Sequence, residues 1–138
     1  MDVTFSDAMI DGIRENVARY AQLGVKIHFT EMDVRCNKAG QTCNLINWKS
    51  NPWPQKNLER QAEIYSKILQ VCLDEPLCES FESWGFTDRK TFLPEGQNGL
   101  PFDKDMNPKP AQIQMVETLK KAAKKAKNAK RNSVQFLQ

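Results

Sequence analysis

The sequence holds one histidine, His28, in 138 residues. It has no CxxC pair, so the usual zinc ligand sets are missing and no metal site is expected. No run of about eighteen apolar residues occurs, which argues against a membrane span. The opening MDVTFSDAM is acidic and polar, so it does not read as a secretory leader. Between Lys120 and Arg131 there is no acid among seven Lys and Arg. Setting those seven aside leaves thirteen basic residues against seventeen acids, so the net charge of +3 hides an acidic body and a basic tail. Any nucleic-acid partner would have to be argued from that tail alone.

What is present suits one small soluble domain: 40% hydrophobic and 27% charged residues. The four cysteines fall in two close pairs, Cys36/Cys43 and Cys72/Cys78. That grouping fits disulfides in an oxidising compartment; four unrelated thiols are the alternative. Oxidised cysteines without a leader suggest a secreted protein whose N-terminal part has been lost.

Ser6 is placed to cap a helix carrying Met9, Ile10, Ile13, Val17, Tyr20 and Ala21, with Gly24 as its left-handed stop. The strand VKIHFTEMDV (25–34) follows at once. A polar loop from Arg35 to Lys56 holds Trp48 and Trp53. Asn57 caps a second helix with Leu58, Ala62, Tyr65, Ile68, Leu69 and Cys72 on one stripe. A second strand runs roughly from Glu79 to Trp84. After another loop, Pro108 and Pro110 suit the first turn of a third helix bearing Ile113, Val116, Leu119 and Ala123.

Helix, strand, helix, strand, helix implies parallel strands with right-handed crossovers. Two such strands need further strands at their edges and cover on both faces. The turn before the first strand is short, and the loops after both strands are long. Long loops at strand C-termini mark the functional face of a (β/α)8 barrel. The expected fold is therefore α/β: the last two βα units, with the preceding helix, from the C-terminal part of a TIM barrel.

Strand alternation puts Val25, Ile27, Phe29, Glu31 and Asp33 on one side, pointing inward, with Glu31 at the barrel mouth. An ionised carboxylate is costly to bury without partners, and one held there is a candidate for chemistry. The other reading is an acidic pair at the start of a solvated loop.

The segment HFTEMDV resembles the nucleophile motif of glycoside hydrolase family 10, the retaining β-1,4-xylanases, in which T-E-x-D ends barrel strand seven. WGFTD, Trp84 to Asp88, resembles the family's W-G-x-x-D at the end of strand eight. The segments beginning NLERQAEIY, VCLDEPLC and FDKDMNPKPA also match, so the resemblance runs to about Leu119. Residues 120–138 are left as a basic helix end and tail. The resemblance implies an endo-1,4-β-xylanase acting on xylan, with no cofactor. Glu31 takes the role of nucleophile, Asp33 of active-site support, and Trp84 and Phe92 of substrate binding. It also favours a Cys72–Cys78 disulfide, while Cys36 and Cys43 are read as a staple of the loop after Glu31. A retaining mechanism places two carboxyl groups roughly 5–5.5 Å apart. Glu31 must be ionised to attack, which the like charge of Asp33 opposes unless Asp33 is bonded elsewhere.

The family's acid/base, on strand four after an Asn, has no counterpart here. Glu82 lies in strand eight below the mouth and is not a substitute. The missing N-terminal barrel strands are the implied partner, and the chain alone is expected to be inactive. The alternative is a degenerate homologue that binds xylan through Trp84 and Phe92 without cleaving it. His28 is expected between sheet and helix, facing away from Glu31, while Trp48 and Trp53 are expected to pack the loop. The run Lys120–Arg131 reads as a solvated helix end, with no nucleic-acid or membrane partner expected.

Overall fold

The computed structural model describes residues 1–36, 55–94 and 96–135. Its elements are α1 (Asp7–Gln22), β1 (Ile27–Phe29), α2 (Gln55–Asp74), β2 (Cys78–Phe81) and α3 (Pro110–Gln135). The order matches the alternation expected from sequence. Strands β1 and β2 pair in parallel, with Ile27 against Cys78, His28 against Ser80 and Phe29 against Phe81. Cys43, Trp48 and Trp53 lie outside the described residues.

Local chemistry fixes the ends of α1. The Ser6 hydroxyl accepts the Met9 N–H at 3.3 Å, the usual N-cap bond to the third helical residue. At the other end Gly24 adopts φ +72°; its N–H donates to Ala21 O (2.9 Å), and the Val25 N–H donates to Tyr20 O (3.2 Å). This pair of bonds is a Schellman stop, which glycine accommodates at little steric cost. Three residues after Gly24 the chain is already in β1, so helix and strand run antiparallel with almost no slack.

Helix α2 starts at Gln55, two residues before the expected cap, so Asn57 sits inside the helix. Its stripe Leu58, Ala62, Tyr65, Ile68, Leu69 and Cys72 is buried throughout, as its spacing predicts. The core joins that stripe to Ile10 and Val17 of α1, to Met32 and Val34 beyond β1, and to Ala111 of α3. Pro110 opens α3, where its missing N–H costs nothing. The expected apolar stripe of α3 is corrected, however. Ile113 and Leu119 are about half exposed and Ala123 is exposed, while Ala111 and Thr118 face the core. Small residues let α3 approach α2, with Met115 packed against the core beside them.

Behind β2 an open groove of about 630 Å³ runs between α2, β2 and α3. Leu69, Leu73, Phe81, Met115, Val116 and Leu119 line it. Among the described residues no helix is long and apolar enough to cross a membrane.

Candidate active site

The strands end sooner than the sequence suggested, but the hydrogen-bond ladder carries on past them. Glu82 N–H donates to Phe29 O (2.7 Å), and Met32 N–H donates to Glu82 O (2.9 Å). Glu31 and Trp84 therefore leave the same, C-terminal end of the two-stranded sheet. Glu31 is exposed, and among the described residues its carboxylate has no hydrogen-bond or ion-pair partner.

The expected alternation is overturned. Ile27 and Phe29 pack against the helix core, so they face the helices and not the barrel interior. His28 and Thr30 occupy the opposite, exposed face. The chain then bends at Glu31, which is exposed as well, and Met32 and Val34 are buried. One step of the alternation is skipped at Thr30–Glu31. That slip turns Glu31 onto the open face although Phe29, two residues earlier, points to the helices. His28 is likewise not between sheet and helix. Its Nδ1 lies 2.9 Å from Ser80 Oγ, and its Nε2 lies 3.5 Å from the Glu79 carboxylate, which also holds Lys26 at 2.6 Å.

Asp33 sits in different surroundings from Glu31. Its side chain is 12% exposed and stands 3.6 Å from Arg35 Nε and 3.5 Å from the amino group of Met1. Its Oδ1 is buried and accepts no hydrogen bond among the described residues. That same oxygen faces both cations, so it is held by charge at ion-pair distance and not by a hydrogen bond. The segment carrying it is firmly held. Val34 N–H donates to Gly99 O (3.0 Å), Gln61 Nε2 donates to Val34 O (2.6 Å) and Asn98 O (2.9 Å), and Tyr65 OH donates to Gly99 O (2.7 Å). Burial pushes the Tyr65 hydroxyl well above its ordinary pKa, so it stays a donor.

Trp84 and Phe92 are 57% and 53% exposed. Phe86, between them, is half exposed with its ring edge-on to Phe102 at 5.8 Å. Three half-exposed aromatic rings in one loop offer flat apolar area of the kind a sugar ring covers. Phe86 was not singled out from sequence, although the aromatic inside WGFTD was a visible signal. Glu82 is exposed at the strand end, with its backbone in the ladder.

The loop that displays these rings is pinned from beneath by a buried ion pair. Lys109 Nζ donates to Asp88 Oδ2 (2.9 Å), Asn98 O (2.6 Å) and Leu100 O (2.7 Å). Asp88 also accepts the Leu100 N–H at 3.0 Å. Burial drives the Asp88 carboxyl up and the Lys109 ammonium down, each toward its neutral form. The geometry decides in favour of the charged pair: three acceptors around Nζ require three N–H donors, and only the ammonium has them. Close by, the Asp103 carboxylate accepts the N–H groups of Asp105 and Asn107 (2.9 and 2.8 Å), and Thr87 Oγ1 donates to Asp103 O (2.7 Å). Lys109 carried no sequence signal beyond its place between two prolines.

The Cys72–Cys78 disulfide is present, with Cα atoms 5.2 Å apart. It closes the turn into β2, at the end opposite Glu31. Cys36 is fully buried, and its expected partner Cys43 lies outside the described residues. Among the described residues no group of three His, Cys, Asp or Glu could hold a metal.

Parallel strands with long loops at their C-terminal ends suit a segment of an α/β barrel, and Glu31 and the exposed aromatic rings all follow those ends. Residues 1–118 match the model of Glycosyl hydrolase family 10, and the chain belongs to that family. Endo-1,4-beta-xylanase B of Thermotoga neapolitana is 30% identical over 128 residues, covering 90% of this chain and 34% of that protein. Among solved structures, xylanase 10B of Thermotoga petrophila in complex with xylobiose is 35% identical with a TM-score of 0.70, over 87% of this chain and 34% of that one. Native xylanase 10B of Thermotoga maritima aligns with a TM-score of 0.69 at 35% identity, over 84% and 33%. The fold is thus part of a TIM barrel, and the chain spans about a third of the length of these relatives.

Proposed function

We propose that this chain is the nucleophile-bearing C-terminal part of a retaining endo-1,4-β-xylanase. The observation that carries the reading is Glu31: exposed, unpaired among the described residues, and turned by a local bend onto the open face at a strand's C-terminal end. In a retaining mechanism such a carboxylate attacks the anomeric carbon and forms a glycosyl-enzyme, while a second carboxyl protonates the leaving oxygen. Asp33 supports the site, with its carboxylate held between Arg35 and the Met1 amino group. Trp84 and Phe92 stack on xylose rings. The acid/base comes from the N-terminal strands, which also cover the groove behind β2. The names of the relatives and the xylobiose complex support xylan as substrate. The Cys72–Cys78 disulfide supports a secreted protein.

Alone, the purified chain should release no reducing sugar from xylan, since a missing general acid by itself lowers rates about 10²–10⁴-fold. Mixed with the complementary N-terminal two-thirds of a relative, it should regain turnover. In that mixture Glu31→Ala should abolish hydrolysis, and added azide should return a glycosyl azide of inverted configuration. Turnover that survives Glu31→Ala would remove Glu31 from the mechanism. Binding of xylo-oligosaccharides by the wild-type mixture without any cleavage would select the non-catalytic reading instead.

A further inference from the structure

The basic tail forms part of α3, which runs as one helix to Gln135, well past residue 118 where the family match ends. Its cations are not scattered. With 3.6 residues per turn, Lys120, Lys124, Lys127 and Arg131 fall within about 60° of one another, in a row about 16 Å long. All four are exposed. Lys120 pairs with Glu117 at 2.8 Å, whereas Lys124, Lys127 and Arg131 make no ion pair among the described residues. No acid follows Glu117 in the sequence. The far side of the helix carries Ala122, Ala126 and Ala129, which continue the direction of Ala111 and Thr118.

Two partner classes fit less well. A helix that lies in a bilayer needs large apolar residues opposite its cations, and this one offers only alanine. Single-stranded nucleic acid is bound by aromatic rings interleaved with cations, and there are none from Lys120 to Arg131. The remaining chain is acidic, so it repels a polyanion everywhere except here.

We propose that the row Lys120, Lys124, Lys127 and Arg131 docks a carboxylate-bearing polysaccharide chain, such as xylan with uronate side groups, outside the sugar cleft. The choice of a polysaccharide rests on the xylanase reading above. The row would hold acidic stretches of the polymer by charge while the loop aromatics engage neutral xylose rings.

The test is affinity electrophoresis of the full chain through gels containing polygalacturonate, neutral arabinose-substituted xylan or duplex DNA, with xylohexaose binding measured separately. Polygalacturonate should retard the chain at low salt and lose its hold as salt rises. Lys124→Gln with Lys127→Gln should weaken that binding roughly tenfold and flatten its salt dependence. Lys121→Gln with Lys125→Gln, the same charge removed from off the row, should weaken it less than about threefold. Equal losses in the two variants, no retardation by polygalacturonate, or tighter binding of duplex DNA at matched charge would each overturn the proposal. Xylohexaose binding should be unchanged in both variants. Its absence in the wild type mixed with the complementary N-terminal two-thirds of a relative, with polygalacturonate retardation of the chain intact, would count against the xylanase reading and leave the charged row standing.

Discussion

The loop after β2 and the groove behind β2 are opposite solutions for the same strand. In the loop almost every buried polar group is answered within the chain: Asp88 by Lys109 and Leu100, Asp103 by Asp105 and Asn107, Thr87 by Asp103 O. In the groove Leu73, Val116 and Leu119 face open space, and Leu119 is 47% exposed. One side is complete within this chain. The other presents apolar area that a barrel would bury under its next βα unit. The candidate site sits on the finished side, where the chain supplies its own supports.

Breaking the finished side should have the largest effect. Lys109→Met strands a buried carboxylate and should cost about 3–5 kcal/mol by urea unfolding, whereas Asp88→Leu/Lys109→Met should recover most of it. A harmless single substitution would mean that the pair does not hold the loop. Gly99→Ala comes next. A Cβ there would lie 2.5 Å from Leu93 Cδ1 and 3.5 Å from Arg35 N, so a loss of about 1–3 kcal/mol is expected. Because Leu93 can be trimmed, Leu93→Ala should relieve part of that loss; no relief would mean that the Leu93 contact is not its source. Trp84→Ala should leave stability within about 0.5 kcal/mol yet weaken xylo-oligosaccharide binding by the reconstituted barrel roughly three- to tenfold.

On the unfinished side, Leu119→Ser should shift the unfolding midpoint of the chain alone by no more than about 0.5 kcal/mol. The same change should weaken assembly with the N-terminal strands, which pull-down of the two pieces would read. The smallest effect concerns the surface network of Asp7 and Glu63. Lys67 and Arg60, by hydrogen bonds and charge, hold both carboxyls below their ordinary range. A depressed acid contributes stability above the ordinary carboxyl range and loses it as pH falls through the folded value. A slight loss of thermal stability below about pH 4 is expected, and it should shrink in Lys67→Gln, where only Arg60 still holds the two carboxyls; both groups are mostly solvated, so the change is minor.

Much of the framework could be read from residues alone. Ser6, Gly24 and Pro110 mark helix ends through chemistry confined to a few neighbours, and the structure places each end where those residues put it. The stripe of α2 was legible because it is buried on one continuous face. Less legible were features that depend on distant partners. Ile113 and Leu119 looked like core because they are apolar at helical spacing, yet α3 meets α2 through Ala111 and Thr118. Nothing local links Lys109 to Asp88, twenty-one positions earlier. Glu31 does not share the side of Ile27 and Phe29 as expected: strand alternation alone, extended from Phe29, would have turned it toward the helices, and it is exposed instead.

That skipped step separates two kinds of information along one short segment. Up to Phe29 the backbone obeys the needs of packing, with apolar residues anchored on the helices. From Glu31 the phase is reset, so the direction of the acid is set by a bend and not by what the strand buries. Substitutions that reshape the helix-facing lining at Ile27 or Phe29 can therefore accumulate without re-aiming Glu31. Adding or removing a single residue between Phe29 and Met32 would swing the carboxylate into the helix layer.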